Sequence, residues 1–579
     1  MGRVLATLEA ECKDCYKCVR ACPVKAIKID TGHAKIWEER CILDGRCISV
    51  CPQGAKQVRD DLGKVQASLA GGRVLVASLA PSYVAAFSVA TADQMITALY
   101  KLGFSHVAET AAAAEIVAQA HKALLDEHKP IITSSCPAIV NLIEQHYPEA
   151  IPYLAPIVSP MIAHGRLLQE QYNFEVEVVF IGPCAAKKAE AEEVQFEGAV
   201  SHVLTFQEVE KWLADECIDP KALASVGYTS NDAYWGRSFP LGGGLMRTAG
   251  LDTDVLADQM AIVAGIEECE SVICQLIEGV DLSLTLIEML ACAGGCVDGP
   301  CMVGPWQGLA RRQRLLSHVQ KRRKRHSHLK TLPPHLDENG RLLPFITRTY
   351  RDRKLRLKEP TEAELKAILE AIGKRTPQDE LNCGACGYDS CRDKAKAVYH
   401  GVAENEMCIP YMRRKAESLA NVIIETTPNG IIVVDENLEV LVVNPAAEAM
   451  FNCQVAAHLH RPLCELIDTS SFEEVLTKGA LIQENAEYPQ HNLIVRQYVF
   501  TPEDQEIVIG IFSDITEDRG RQAELAQLKS TTLERAQDVI NRQMRVAQEI
   551  AGLLGETTAE TKVLLSQLMK LMQNGDETP

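Results

Sequence analysis

The residues best equipped for chemistry in this chain are cysteines grouped at short, repeated spacings. Cys292 and Cys296 lie four residues apart with Gly294 and Gly295 between them. Glycine lets a backbone fold close to an inorganic cluster, so both sulfurs can face one metal centre. Cys136 follows the apolar Pro130-Ile131-Ile132, and Cys184 follows Val178-Val179-Phe180-Ile181. Each sits where a buried strand should end, the usual place for ligands in an open α/β sheet. Cys12, Cys15, Cys18 and Cys22 follow C-x2-C-x2-C-x3-C-P, and Cys41, Asp44, Cys47 and Cys51 repeat that spacing with a carboxylate in second place. Cys383, Cys386, Cys391 and Cys408 make a further group spaced C-x2-C-x4-C-x16-C. Thiolates so grouped select zinc or iron–sulfur clusters, and ordinary packing thiols are the bland alternative.

The elements that must position these groups are bounded by composition. At 579 residues the chain exceeds what one core can serve, so several domains are expected. The 21 cysteines are clustered as metal ligands are, which suits a reducing cytoplasm better than a disulfide framework. The opening Met1-Gly2-Arg3-Val4-Leu5 does not read as a leader, and the uncharged run 74–92, interrupted by Pro81, reads as buried core rather than a membrane span. A formal charge of −19 argues against nucleic-acid binding and suits a soluble electron carrier. The basic stretch 311–330 is expected to be a solvated helix end. Apolar runs alternating with helical patterns over 73–308 predict two α/β lobes. Gly242-Gly243-Gly244 predicts a tight turn before a helix, and Cys217, Cys269, Cys274 and Cys301 are expected to be packing thiols.

Three segments, in order, carry a resemblance: Thr133-Ser134-Ser135-Cys136-Pro137, Pro183-Cys184-Ala185-Ala186-Lys187-Lys188-Ala189-Glu190, and Glu288-Met289-Leu290-Ala291-Cys292-Ala293-Gly294-Gly295-Cys296. They resemble the loops that hold the H-cluster of [FeFe]-hydrogenases. The resemblance implies that Cys136, Cys184, Cys292 and Cys296 hold a [4Fe-4S] cube. Cys296 would also bridge to a diiron subsite carrying CO, cyanide and an azadithiolate, and Lys187 would donate a hydrogen bond to a cyanide. It further implies H2 and protons as substrates, and maturation proteins that build the diiron unit. The chain departs from catalytic members where their relay thiol stands, which here is Ser135. A thiol ionises near roughly 8.5 and a serine hydroxyl far less readily, so slow proton delivery is expected. Gly182 and Leu290 occupy places usually held by methionine, with Met289 shifted by one. Glu190 and Glu288 remain as candidate proton carriers deprived of that thiol.

The N-terminal runs resemble a bacterial two-cluster ferredoxin, in which the fourth cysteine of each run serves the other cube. One cluster would use Cys12, Cys15, Cys18 and Cys51, the other Cys22, Cys41, Asp44 and Cys47. Carboxylate is a harder ligand than thiolate, so the Asp44 corner should be labile and that cluster [3Fe-4S] or Asp-ligated. Cys383-Gly384-Ala385-Cys386-Gly387-Tyr388 with Cys391 and Cys408 resembles the small [4Fe-4S] module of corrinoid iron–sulfur proteins. Residues 417–518 resemble a PAS domain, with His458 and His460 read as solvated. Leu533, Ile540, Ala547 and Leu554 recur every seven positions, which suggests a coiled-coil seam and a homodimer.

The fold expected is therefore multidomain α+β. Its parts are a two-cluster ferredoxin-like domain (1–62), a two-lobed α/β H-cluster domain (70–330), a linker (331–378), a [4Fe-4S] module (379–414), a PAS domain (417–518) and a helical tail (519–579). The combination resembles the PAS-bearing class of [FeFe]-hydrogenases assigned a sensory role. Its expected partners are a ferredoxin-like electron carrier and a signalling phosphatase or kinase, in the cytoplasm. Two other readings stay open: a non-catalytic redox sensor holding only the cube at the H-cluster site, and an electron-transfer subunit of a larger oxidoreductase.

Overall fold

The computed structural model describes residues 4–89, 91–125, 129–226, 233–254, 259–325, 335–337, 340–502, 506–554, 563–564 and 566–567. Contacts divide the chain into two units, Met1–Met412 and Arg413–Pro579, each described by itself.

The first unit opens with paired short strands, Leu5–Thr7 against Lys56–Val58 and Ile27–Asp30 against His33–Ile36. Between them lie the helices Lys17–Ala21 and Arg46–Val50, one in each cysteine run. The lobes follow. In the first, strands His106–Glu109, Leu75–Leu79, Glu177–Gly182 and His202–Thr205 form a parallel sheet in that order. In the second, Met260–Ala264, Leu286–Leu290 and Ile131–Ile132 are parallel. Parallel strands need helical crossovers that cover both faces, which explains their unbroken apolar runs. All five residues of Leu75–Leu79 are buried, so the long uncharged run is core. No helix among the described residues is long and apolar enough to cross a membrane.

The stretch expected to be a linker is packed over much of its length. Ile346 and Arg348 are buried, and backbone bonds from Val158 to Ile346, Arg348 to Pro156 and Arg353 to Glu144 lay this strap on the lobes. The helix Glu362–Ala371, capped by Thr361 and Glu364, then packs Leu365 and Leu369 on Ala395 of the helix Cys391–Tyr399. The strap's polar composition concealed this, because Arg348 enters the interior by pairing with buried carboxylates. The basic stretch differs from expectation in the same way. In the helix Gly308–Arg325, Leu315 and Val319 are buried, Arg314 stacks on Trp306 at 3.6 Å, and the buried Arg322 pairs with Asp93. Its last part, 326–330, lies outside the described residues.

The second unit holds a five-stranded antiparallel sheet ordered Val440–Val443, Gly430–Asp435, Ile507–Asp514, Leu493–Phe500, Ile482–Tyr488. Alternate residues Ile432, Val434, Val495, Val499, Val508 and Phe512 face a core shared with Phe451 and Phe472. A Cβ on Gly510 would meet the Phe472 ring at 2.5 Å, so that position admits only glycine without repacking. The buried Asn444 accepts from the Ile431 and Ala447 amides and donates to the Ile424 and Asn429 carbonyls. His460 is exposed at φ 58°. The helix Thr516–Leu554 carries much of the expected seam; the Leu554 side chain and most residues beyond it lie outside the described residues.

Candidate metal centre

Three strand ends converge. Cys136 caps the helix Pro137–His146 just after Ile131–Ile132, Cys184 follows Glu177–Gly182, and Cys292 follows Leu286–Leu290. Cys296 opens the 3-10 turn Cys296–Asp298. All four cysteines line one cavity of about 110 Å³, together with Ser135, Lys187 and Asp44. The first loop is fixed by Thr133, whose hydroxyl accepts from the Met289 amide at 3.2 Å, and by Ser134, whose hydroxyl donates to the Ile157 carbonyl at 2.6 Å. Gly295, at φ 79°, lets the third loop lie against Pro240, whose carbonyl a Cβ would meet at 2.3 Å.

The donor set fits a metal cluster. Burial pushes the Cys184 thiol up to about 11, with the charge of Cys136 adding to it and Lys187 opposing. Burial likewise raises Cys296 to about 12, with Cys136 and Cys184 next in weight, although part of its surface opens on the cavity. Cys292 is raised by burial, then by Cys184, Cys296 and Cys136. Buried sulfurs in mutual electrostatic reach cannot all shed protons near neutral pH unless a metal replaces those protons. The Ser135 hydroxyl, buried and without a hydrogen-bond partner among the described residues, also lines this cavity.

Lys187 is held by Glu190 at 2.8 Å and reaches the Ser135 carbonyl at 3.4 Å. An ammonium has three donors, which leaves one for the cavity. Glu190 is buried behind it, accepting from Ser159 at 2.9 Å and from Arg348 at 3.4 Å. Glu288 is buried too, but its oxygens accept from the Leu245 and Met246 amides at 3.3 and 3.1 Å, at the start of the helix Gly244–Ala249 that the glycine triplet introduces. Burial raises Glu288 to about 7 against those amides. Neither glutamate is among the cavity-lining residues. The sequence reading missed Met161, Phe180 and Phe239, which do line it. The Phe180 ring occupies the space a Gly182 Cβ would enter, at 2.6 Å, and the buried Met289 leaves the cavity wall to Leu290.

The N-terminal cysteines sort into two sets. Burial raises Cys22 to about 11, followed by the charge of Asp44, and Cys41, raised to about 12, lies in the field of Cys22 and Asp44. Cys47 is raised by burial, then by Asp44, Cys41 and Cys22. Cys18 is instead in reach of Lys56, Cys12 and Cys15. Cys22 thus lies within electrostatic reach of Cys41, Asp44 and Cys47. Asp44 is no surface residue: its side chain is 10% exposed, burial raises it to about 6 with Arg46 opposing, and Oδ2, 3.8 Å from the Arg46 guanidinium, has no hydrogen-bond partner among the described residues. A buried carboxylate oxygen with no hydrogen bond among the described residues, in the field of three thiols, suits a fourth ligand.

Cys383, Cys386, Cys391 and Cys408 line a second, smaller pocket with Lys394. Lys394 is 1% exposed, bonds the Asn405 carbonyl at 3.3 Å, and lies in the field of Cys408, Cys386 and Cys391. Such a cation suits a site that binds a net anion. Of the remaining cysteines, Cys269 and Cys301 are buried as expected of packing thiols, Cys274 is partly so, and Cys217 is exposed.

Comparison with known proteins agrees with this geometry. Residues 73–300 match the family described as iron only hydrogenase large subunit, C-terminal domain. Residues 11–55 match a 4Fe-4S dicluster domain, 379–410 an Fe-S cluster family, and 419–510 the PAS fold. The subunit HndD of an NADP-reducing hydrogenase from Solidesulfovibrio fructosivorans is 26% identical over 45% of this chain and 55% of its own length. The periplasmic [Fe] hydrogenase large subunit of Nitratidesulfovibrio vulgaris is 27% identical over 54% and 90%. The cytosolic Fe-S cluster assembly factor NAR1 of Yarrowia lipolytica is 32% identical over 27% and 35%. The chain thus spans about half of the first of these relatives and about a third of the last. A variant of the [FeFe]-hydrogenase HydA1 from Chlamydomonas reinhardtii covers 51% of this chain and 99% of its own, at 18% identity and a TM-score of 0.42. Site and matches together define a hydrogenase-like iron–sulfur protein. More particularly, the chain is an [FeFe]-hydrogenase-like protein that carries a PAS domain.

Proposed function

We propose that the chain is a sensory [FeFe]-hydrogenase of low turnover, cytoplasmic, oxidising H2 reversibly and passing the redox signal through iron–sulfur clusters to its PAS domain. One observation carries the reading: the thiols of Cys136, Cys184, Cys292 and Cys296, the Lys187 ammonium and the Ser135 hydroxyl, without a hydrogen-bond partner among the described residues, surround a single cavity. Cys136, Cys184, Cys292 and Cys296 would hold the cube and Cys296 the diiron subsite, which supplies heterolytic H2 chemistry when bound. Lys187 offers its free N–H to an anionic ligand there, and Glu190 holds that ammonium in place. Ser135 stands where a proton must pass, and its hydroxyl is a poor acid. Met161, Phe180, Phe239 and Leu290 make the cavity apolar, which excludes water and strengthens each remaining polar contact. The domain limits given above, apart from the stretch 331–378 that is packed over much of its length, the ferredoxin-like electron partner, the homodimer and the signalling phosphatase or kinase belong to the same proposal.

The Ser135 substitution and the withdrawal of Glu190 and Glu288 from the cavity wall favour a second reading, in which the site holds a cube alone and the chain senses redox state without catalysis. The similarity to an Fe-S cluster assembly factor points the same way. Infrared spectroscopy after supply of the diiron precursor separates the two: CO and cyanide stretching bands are expected from the hydrogenase and absent from the cube-only protein. In the loaded enzyme Ser135→Cys should raise turnover. An unchanged rate at full loading would show that this position does not limit proton delivery.

A further inference from the structure

The module of Cys383–Cys408 is set directly against the N-terminal cysteine runs, a junction that nothing in the spacing of either announces. Gly387, at φ 93°, lies so near the helix Lys17–Ala21 that a Cβ would come within 2.9 Å of the Val19 side chain and 3.0 Å of the Arg20 amide nitrogen. Arg20 clasps both loops, donating to the Ala385 carbonyl at 3.2 Å and the Cys15 carbonyl at 3.0 Å. The Ile29 amide donates to the Val402 carbonyl at 2.9 Å, and the Gly32 amide to Glu404 at 3.3 Å. Tyr388, 5% exposed, shares one core with Cys18, Cys22 and Val19, and its hydroxyl lies in the electrostatic reach of both Cys386 and Cys22. Asp44, of the same run as Cys41 and Cys47, is in the field of Cys292 and lines the cavity with it.

We infer that the cluster of Cys22, Cys41, Asp44 and Cys47 is a branch point, joined to the Cys292 site through Asp44 and to the Cys383–Cys408 cluster through the Gly387-Tyr388 seam. The inference rests on the reading of these groups as iron–sulfur sites. The solvent-facing group containing the exposed Cys15 is left as the port for an external electron carrier, and the module, whose Cys383 is also exposed, becomes the terminus that adjoins the helix Ile409–Thr426. In the step across the seam one electron leaves the reduced cluster at Cys22 and enters the oxidised cube at Cys386. No bond forms or breaks and no proton moves. The electron comes from H2 or from a low-potential carrier at the port. Cys408, a ligand of that terminus, directly precedes the helix Ile409–Thr426, so reduction of the module alters charge at the start of that helix.

The test uses the full chain with its cubes built but without the diiron unit, reduced with dithionite and examined by electron paramagnetic resonance. Spin coupling between the module's cube and the Cys22 cluster is expected, and should vanish in Cys386→Ser, which removes the module's cube. Gly387→Ala should weaken the coupling at unchanged iron content. Arg20→Ala, at an exposed position, should do so without disturbing the core. Zinc in the module, or a module signal that stays magnetically isolated with every cluster present, would overturn the inference. Because the protein carries no diiron unit, this outcome is independent of the infrared result that decides the hydrogenase reading.

Discussion

Lysines accompany the cysteine groups. Lys56 is 3% exposed and bonds Thr7 and the Ala34 carbonyl within reach of Cys18; Lys187 borders the central cavity; Lys394 sits among the module's thiols. A cube held by four thiolates is anionic, and a buried anion is costly unless a cation faces it. Reduction adds one more negative charge, so Lys394→Met should move the module's midpoint potential negative. A loss of about 1.4 kcal/mol is about 60 mV for one electron; a potentiometric titration showing no shift would mean that the cation is purely structural. At the second N-terminal cluster, Asp44→Cys should convert a three-iron or labile species into a stable four-iron cube, read from its resonance spectrum. The cysteines were legible in the sequence because their spacing is local. Lys56, Lys394 and Phe180 were not, since their partners arrive from distant segments. Glu288 was visible as a residue but not in its surroundings: it meets amides of the helix Gly244–Ala249 that only the tertiary fold brings to it.

At the scale of elements, the strand ends that carry Cys136, Cys184 and Cys292 were readable from apolar runs followed by a cysteine. The strap over residues 344–353 was not, because a buried arginine in a polar stretch looks the same in sequence as an exposed one. Its Arg348 lies 3.4 Å from Glu190 and 3.3 Å from Glu193, so a segment that resembles a connection braces the carboxylate behind Lys187. The helix Thr516–Leu554 presents Leu525, Leu528, Leu533, Val539, Val546 and Ile550 to solvent, each more than 40% exposed. Leu533, Ile540 and Ala547 recur every seven positions on this open helix, and such a seam favours pairing with a second helix. Ile540→Asp combined with Ile550→Asp should convert a dimer to a monomer in analytical ultracentrifugation. A mass that does not change would assign the seam to another role.

For the molecule as a whole, the buried histidines set the response to acid. Burial lowers His121, His146 and His164 to about 4 and His318 to about 3. An unfolded chain binds protons at histidine below roughly 6.5, whereas these rings stay neutral in the fold until about 4. Stability is therefore lost as pH falls from about 6.5 to 4. Asp61 adds a later loss: burial raises it, but bonds from Lys64 and Lys188 bring it down to about 2, so its contribution disappears between about 3.8 and 2. Every tryptophan, Trp37, Trp212, Trp235 and Trp306, lies in the unit Met1–Met412. Denaturant titrations followed by tryptophan emission should therefore report that unit alone, with a lower midpoint at pH 5 than at pH 7.5.

Leu43 and Asp44 line the same cavity as Cys292 and Cys296, and a side chain on Gly45 would strike Pro300 at 2.5 Å. The amino-terminal portion thus forms part of the cavity's wall. Trimming the protein to its two central lobes would leave the cavity with a breached side, open to water and dioxygen.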